Sequence, residues 1–173
     1  NKILYLPVLN NFGKLIDVYN LREYNIDNSD NSDIYDVVVM AGGMGKRLLP
    51  ITKKIPKPMV DINGIPLLER QIRGLEKTGI KTIYISINYL GQIIKDHFLD
   101  GSNFGVTIYY LQEEKKLGTA GALSLLPSLD KGGSLLVMNG DIFTKSDFVN
   151  LFHFHKEHRS LITMSAIDYN VNI

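Results

Sequence analysis

The sequence predicts an α/β fold: a three-layer αβα sandwich built on a mostly parallel sheet. Three observations predict it. Continuous apolar runs rich in β-branched residues recur from residue 36 onward, segments with the apolar spacing of helices lie between them, and a glycine-rich turn follows the first run directly. Strands that are apolar on both faces are typical of parallel sheets covered by helices, which bind ligands at the carboxyl ends of their strands.

Strands and helices alternate along this part of the chain. The strands are predicted from apolar, β-branched composition at 36–41, 82–87, 106–112, 134–141 and 161–167. The helices are predicted from apolar positions that share one face, at 66–79, 89–98, 119–126 and 146–158. Gly79 is expected to end the first helix, and Ser146 is expected to cap the N-terminus of the last.

Residues 1–24 have a different character. An apolar strand at 3–9, a turn at Gly13, a second strand and a short helical start are expected there, a unit too small to bury a core of its own. The stretch NIDNSDNSD that follows is polar and acidic, as solvated linkers are. We therefore expect one domain remnant at 1–24 and a main domain at 36–173, joined by a linker at 25–35.

The composition restricts the function. The 173 residues are 45% hydrophobic and carry 19 basic against 18 acidic residues, a net charge of +1. A globular core is expected, and the near-neutral charge gives no general attraction to nucleic acids or anionic membranes. The absence of cysteine excludes disulfides and thiolate metal sites. Since neither a secretory leader nor an apolar run of about 18 residues is present, we expect a cytoplasmic protein without a membrane segment.

Positive charge is concentrated at 40–58, MAGGMGKRLLPITKKIPKP, which has five basic residues and no acidic one. Glycines in a tight turn leave backbone N–H groups free to approach an anion. Arg47 offers a planar charged fork that suits phosphate oxygens, and Lys57 lies between two prolines that restrict its backbone. The stretch therefore predicts a phosphate-binding site.

Two better-known glycine-rich motifs do not fit this stretch. A P-loop would need glycine in place of Met40 and serine or threonine in place of Arg47. A dinucleotide-binding turn would need a third glycine in place of Leu48 and an immediate helix, which Pro50 and Pro56 disfavour. The sequence therefore indicates neither of these sites.

Five segments occur in the order typical of one enzyme family. They are GGMGKRLLPIT at 42–52, PKP at 56–58, LQEEKKLGTAGAL at 111–123, VMNGD at 137–141 and FHKEH at 154–158. Over residues 36–173 the chain resembles the sugar-1-phosphate nucleotidyltransferases. The resemblance implies a nucleotide-diphospho-sugar transferase fold and a reaction in which an NTP and a sugar 1-phosphate give an NDP-sugar and pyrophosphate.

The resemblance also implies roles for individual residues. Arg47 would hold the triphosphate, Lys57 would neutralise charge at the reacting phosphates, and Asp141 would bind Mg²⁺. The sugar phosphate oxygen would attack the α-phosphorus in line, so catalysis would consist of positioning and charge neutralisation without a covalent enzyme intermediate. The nucleotide-binding residues would be Ala41, Gly42, Gly43, Gly45, Gln112 and Gly118. Gly42 and Gly43 would lie against the nucleoside, Gly45 would hold the triphosphate together with Arg47, and Gln112 and Gly118 would contact the nucleobase.

The form LGTAGAL at 117–123 is more similar to guanylyltransferases and related hexose-1-phosphate enzymes than to thymidylyltransferases. We therefore expect GTP and a hexose or amino-sugar 1-phosphate as substrates, and a GDP-sugar for surface glycans as product. Because the resemblance implies a longer catalytic core with a second acidic metal ligand, we expect this chain to be a truncated part that binds NTP and turns over poorly. Residues 1–24 resemble the end of a CBS module.

Several interpretations stay open. A nucleotide-binding regulatory module without turnover and an interaction protein with a degenerate site are the alternatives to an enzyme. Asp141 could cap the following turn, Gln112 could be a surface strand residue, and Lys46 could contact either phosphate or solvent. The histidines at 153, 155 and 158 are expected on a solvated helix face rather than at a metal. The sequence leaves open whether the protein is a homo-oligomer.

Overall fold

The computed structural model describes most of the chain. The described residues are 5–9, 14–20, 34–115, 117–118, 120–127, 134–142, 144 and 146–166. The chain divides into two units, Asn1–Asn31 and Ser32–Ile173. Within the described residues, no helix has the length and apolar character needed to cross a membrane.

The first unit contains an antiparallel pair of strands. Strand β1 (Tyr5–Leu9) pairs with β2 (Leu15–Asn20), and the register shifts between Val8 and Leu9. The two strands agree with the sequence analysis. The predicted turn at Gly13 and the helical start lie outside the described residues, and the resemblance to a CBS module stays a prediction.

The second unit is built on a parallel sheet. Its elements in chain order are β3 (Ile34–Met40), β4 (Asp61–Ile62), β5 (Ile65–Pro66), α1 (Leu67–Lys77), β6 (Thr82–Ile87), α2 (Gly91–Phe98), β7 (Thr107–Gln112), β8 (Ser134–Asn139) and α3 (Phe148–Glu157). Four of the strands form a sheet in the order β7-β6-β3-β8, with every pair parallel. The predicted α/β class with a mostly parallel sheet is confirmed.

Both faces of this sheet are covered. Val37, Val38 and Val39 in β3 are fully buried, and their side chains alternate between the two faces. Val37 and Val39 belong to the cluster that includes the apolar faces of α1 and α2. On the other face, Val38 belongs to a cluster against which Leu123 and Leu126 pack. The continuous apolar run in β3 is thus explained by burial on two sides.

Helix α1 packs on the sheet through one face. Leu68, Ile72 and Leu75 are fully buried and follow the i, i+4, i+7 spacing of a helix face. The helix ends before Gly79, which has a φ of 88° and donates its N–H to the carbonyl of Glu76 at 2.9 Å. A glycine in the left-handed region is a common helix terminator, as the sequence predicts here.

The outer side of α1 is tied to α2 through Glu69. Its carboxylate lies 2.8 Å from Nε of Arg73 and 2.8 Å from Nε2 of His97 in α2. Burial raises the pKa of Glu69, but the hydrogen bonds from Arg73 and His97 outweigh burial and hold that pKa below its ordinary value. Helix α1 is therefore fixed by its core face and by this ion-pair cluster.

The segment predicted as a helix at 119–126 is shorter and tighter than expected. The structure has a 3-10 helix at Gly121–Leu125, followed by Leu126 in an extended conformation. Leu126 precedes Pro127, and a residue before proline avoids the α region. Because Gly121 also disfavours an α-helix, the segment is too short for α-helical hydrogen bonding to propagate.

The strand predicted at 161–167 is wrong for the part of that segment that the structure describes. Residues 161–166 form no strand, and the side chains of Leu161, Ile162 and Met164 are exposed. A strand is stabilised by hydrogen bonds to a neighbour, and no strand in the described part of the chain pairs with this segment. Apolar composition alone therefore does not make it a strand.

The N-cap of α3 is Asp147 rather than the predicted Ser146. The Asp147 side chain accepts a hydrogen bond from the N–H of Asn150 at 3.0 Å. Ser146 instead bonds to the hydroxyl of Thr144. A carboxylate at a helix N-terminus satisfies a free N–H group and interacts favourably with the helix dipole, which explains the preference for Asp147.

Helix α1 allows a matched test of this packing. Ile72→Ala removes a fully buried side chain and should lower the free energy of unfolding by about 2–5 kcal/mol. Gly74→Ala adds a Cβ that meets no heavy atom within 4 Å among the described residues, and should raise that free energy by roughly 0.5–1 kcal/mol because alanine favours a helix. Chemical denaturation of both variants measures the changes, and changes of the same sign would contradict the assigned buried face of α1.

Candidate active site

An open cavity of about 690 Å³ lies where the carboxyl ends of β3 and β8 meet the loops that follow them. Gln112, at the end of β7, is exposed and does not line this cavity. The role of Gln112 in contacting the nucleobase stays a prediction, and so do the roles predicted for the other residues of the site. Eight of the nine residues predicted for the site line the cavity, namely Ala41, Gly42, Gly43, Gly45, Arg47, Lys57, Gly118 and Asp141.

The glycine loop leaves the sheet at Ala41, whose N–H donates to the carbonyl of Ser86 in β6 at 2.9 Å. Gly42 has little room for a side chain, because a Cβ there would lie 3.0 Å from Oε1 of Glu113. At Gly43, by contrast, an added Cβ would meet no heavy atom within 4 Å in the described part of the chain. Packing therefore does not require glycine at position 43. Because Gly43 has no side chain, its backbone is open to a ligand in the cavity.

Gly45 turns the loop with a φ of 59°, in the left-handed region that favours glycine. A Cβ at this position would lie only 2.8 Å from Cγ2 of Thr52. Thr52 is fully buried, and its Oγ1 donates a hydrogen bond to the carbonyl of Gly45 at 2.9 Å. This hydrogen bond, which fixes the turn of the loop, was not predicted from the sequence, although Thr52 lies inside the motif GGMGKRLLPIT.

Three cationic side chains line the cavity beside the glycines. Lys46 and Arg47 lie in a 3-10 turn that directly follows the glycine loop. Lys57, which has a proline on either side in the sequence, begins another 3-10 turn at Lys57–Met59. Lys46, whose role the sequence left open, is exposed and lines the same cavity. Such a local concentration of positive charge favours the binding of a polyanion even in a protein of small net charge.

Asp141 lies in the turn that follows β8, on the wall of the cavity. Its carboxylate forms an ion pair with the ammonium group of Lys57. The turn starts at Gly140, whose N–H donates to the carbonyl of Met40 at 2.8 Å. A Cβ at Gly140 would lie 3.1 Å from that same oxygen, so glycine permits the close approach of β8 and β3 that brings the carboxylate to the cations.

Comparison with known proteins decides the family. A family model described as nucleotidyl transferase matches residues 36–172. The chain belongs to the nucleotidyl transferase family. The mannose-1-phosphate guanylyltransferase of Mycobacterium tuberculosis is 33% identical over 132 residues, covering 76% of this chain and 37% of that protein. The mannose-1-phosphate guanyltransferase 2 of Candida glabrata is 33% identical over 132 residues, covering 75% of this chain and 37% of that protein.

Solved structures confirm the fold of the chain. The crystal structure of HddC from Yersinia pseudotuberculosis in complex with GMP-PN superposes with a TM-score of 0.63 at 34% identity, covering 70% of this chain and 54% of the HddC chain. A UDP-glucose pyrophosphorylase in complex with UDP-glucose shares the fold, with a TM-score of 0.60 at 21% identity, covering 73% of this chain and 54% of that one. The chain thus spans 37% of the length of the two curated relatives and about half of these structures.

Glu113 is part of the cavity wall and was not among the residues that the sequence predicted for the site. Its buried carboxylate accepts hydrogen bonds from Oγ of Ser86 and from the N–H of Leu117, the latter at 3.2 Å. Its carbonyl accepts a bond from Nδ2 of Asn88 at 2.8 Å. These bonds hold the start of the LGTAGAL segment to the end of β6. The sequence feature that could have identified Glu113 is an acidic residue directly after a predicted strand. A carboxylate buried at such a position needs hydrogen-bond partners.

Asp141 is the side chain of the cavity that suits Mg²⁺. Carboxylate oxygens are donors that Mg²⁺ prefers, and this ion commonly uses one or two carboxylates while phosphates and water supply the remaining ligands. Among the described residues, no three His, Cys, Asp or Glu side chains are grouped as a metal site. His155 lies 2.9 Å from the hydroxyl of Thr163, and His158 lies 2.9 Å from the carbonyl of Phe154. Asp141 therefore fits a cation shared with a polyphosphate.

Two glycine substitutions test the geometry of the loop. Gly45→Ala should lower the free energy of unfolding by about 1–2 kcal/mol, because alanine is strained at positive φ and its Cβ would collide with Thr52. Gly43→Ala places its Cβ in open space and should change that free energy by no more than about 0.5 kcal/mol. Thermal or chemical denaturation compares the two variants, and equal destabilisation would show that the loop is packed differently.

Proposed function

We propose that this protein transfers a nucleotidyl group from an NTP, with GTP as the first candidate, to a sugar 1-phosphate and releases pyrophosphate. One observation carries the proposal: the glycine loop, three cationic side chains and the carboxylate of Asp141 line one cavity beside the sheet. The two substrates are anions that repel each other, so a catalyst for this reaction needs fixed positive charge and fixed positions in the same place. The cavity offers both.

Each cavity element has a task in this reaction. The open backbone at Gly43 lies against the nucleoside, the loop at Gly45 binds phosphate oxygens through N–H groups, and the guanidinium of Arg47 holds the triphosphate with a planar fork. The ammonium of Lys57 neutralises charge at the reacting phosphates. A bond forms between the sugar phosphate oxygen and the α-phosphorus while the bond from that phosphorus to the leaving pyrophosphate oxygen breaks, so no covalent enzyme intermediate arises.

The ion pair of Lys57 and Asp141 supports this arrangement, because it holds a cationic and an anionic group together on the cavity wall. Asp141 would hold Mg²⁺, which when bound supplies charge neutralisation for the phosphate oxygens. Lys57 and Arg47 contribute fixed positive charge from the protein itself. The catalytic contribution of all these groups is electrostatic and positional rather than nucleophilic.

The similarity of the LGTAGAL segment to guanylyltransferases supports GTP as the nucleotide. Two relatives are a mannose-1-phosphate guanylyltransferase and a mannose-1-phosphate guanyltransferase, and the similar HddC structure is a complex with GMP-PN. We therefore place GTP and hexose 1-phosphates, mannose 1-phosphate among them, first in a substrate screen. Gly118, which lines the cavity with a φ of 83°, remains a candidate contact for the base. A cytoplasmic location and a GDP-sugar product for glycans belong to the same proposal.

A nucleotide-binding regulatory module is the second candidate function. Two acidic side chains line the cavity among the described residues, Glu113 and Asp141. Because Glu113 is hydrogen-bonded to Ser86 and Leu117, Asp141 is left as the candidate metal ligand, and the lack of a second carboxylate in the described part of the chain favours binding without turnover. A protein of this kind would bind NTP and release no pyrophosphate. An interaction protein with a degenerate site is disfavoured, because the glycine loop and its cations are all present.

Substitution of Arg47 and Asp141 tests the proposed enzyme. Arg47→Ala removes a donor that would hold the triphosphate, and Asp141→Asn removes the negative charge that would hold Mg²⁺, so each should lower kcat/KM at least about 100-fold. Lys54→Ala is the matched control, because Lys54 is an exposed cation of the same loop that does not line the cavity. Pyrophosphate release by the full-length protein with Mg²⁺ measures the rates.

The wild-type protein is screened first, with the common NTPs against a panel of sugar 1-phosphates. Turnover with one pair of substrates would establish the reaction and identify both. Wild-type rates in Arg47→Ala or Asp141→Asn would overturn the site assignment. A folded wild-type protein that binds NTP without any turnover would favour the regulatory module.

A further inference from the structure

The turn that presents Asp141 is held by a side chain from a different element. Nε2 of Gln71, in α1, donates hydrogen bonds to the carbonyl of Asn139 at 3.1 Å and to the carbonyl of Ile142 at 2.5 Å. These two carbonyl groups stand on either side of Gly140 and Asp141. Gln71 therefore bridges the whole turn that carries the carboxylate.

Gln71 is placed by the firmly packed middle of α1. The neighbouring Ile72 is fully buried, and so are Leu68 and Leu75, which lie three residues before and four residues after Gln71. Glu69 ties the same part of the helix to α2. The bridge therefore connects the turn to the core of the sheet, and the position of the carboxylate follows the position of the helix.

The contact depends on the chemistry of a carboxamide. Its nitrogen has two N–H groups, one for each carbonyl oxygen, whereas an ionised glutamate only accepts hydrogen bonds and a methionine donates none. The other end of the side chain, Oε1, is buried and has no hydrogen-bond partner within the described residues.

We propose that Gln71 is a positioning residue that acts through Asp141. By holding the carbonyl groups before and after the turn, it fixes the Asp141 carboxylate beside the ammonium of Lys57 and toward the phosphates of the substrates. Gln71 does not itself line the cavity, so it does not contact the reacting atoms. The inference rests on the proposed nucleotidyl transfer.

A double-substitution cycle in the full-length protein tests this role, with GTP, Mg²⁺ and the preferred sugar 1-phosphate. Gln71→Met keeps side-chain length and helix propensity and removes both donors. It should lower kcat about tenfold or more in the wild-type background, and less than about twofold when Asp141→Asn is already present, because no carboxylate is then left to position. Lys77→Met, at the exposed end of α1, is the matched control and should leave kcat unchanged.

A second readout does not depend on turnover. GTP affinity measured without divalent cation should stay within about twofold in Gln71→Met, because the glycine loop and Arg47 are unaltered. Gln71→Glu lacks the same two donors and should show the same loss of kcat with the same retained affinity. It also replaces Gln71→Met in the cycle if the methionine variant does not fold.

The outcomes separate the two proposals. Equal losses of kcat in both backgrounds, or full activity in Gln71→Met, would overturn the role of Gln71. A parallel fall of GTP affinity and thermal midpoint in both variants would also overturn it, as would failure of both to fold, since Gln71 would then be part of the structural core. A folded wild-type protein that binds GTP and releases no pyrophosphate would contradict the proposed function, and the positioning role would fall with it.

Discussion

The candidate site is positioned by the burial of β3 within the parallel sheet. Its valines at 37, 38 and 39 are fully buried on both faces, and its two edges pair with β6 and β8. The backbone of β3 cannot shift without breaking both ladders, so the loop after Met40 starts from a fixed point. The N–H of Ala41 and the N–H of Gly140 continue these pairings beyond the strand ends. The sheet therefore fixes the starting points of the two loops that form the site.

A loop that starts from a fixed point can hold like charges close together. Lys46, Arg47 and Lys57 line one cavity although they would repel one another in a free chain, and the loop that carries them contains no acidic residue. The compensating carboxylate of Asp141 comes from the turn after the neighbouring strand β8 and pairs with Lys57. The positive charge of the cavity is thus a local feature of a protein whose net charge is only +1.

The sequence predicted what is encoded locally. Apolar runs located the strands, glycines and prolines located the loop, and the ordered motifs located eight of the residues that line the cavity. The bonds of Glu113 to Ser86 and of Gln71 to Ile142 escaped prediction, because they join residues far apart in the chain. The predicted helix at 119–126 and the predicted strand at 161–167 were wrong because local composition did not decide the structure there. At 119–126 and 161–166 local composition favoured regular structure, while a proline and the lack of a pairing strand among the described residues decided against it.

The residues of the site fall into two groups with different tolerance to change. One group acts through its own charge or through an open backbone, whereas Thr52, Gln71 and the cavity-lining Glu113 hydrogen-bond to the main chain of the loops. A hydrogen bond to the main chain fixes the path of a loop whatever side chain that loop carries. Lys46 lines the cavity with its own charge, and the hydrogen bond that fixes the loop beside it joins Thr52 to the carbonyl of Gly45. The hydrogen-bonding residues have less freedom to vary, because each one contacts a specific N–H or carbonyl group, and we expect chemistry at this site to be more sensitive to them than their distance from the substrates suggests.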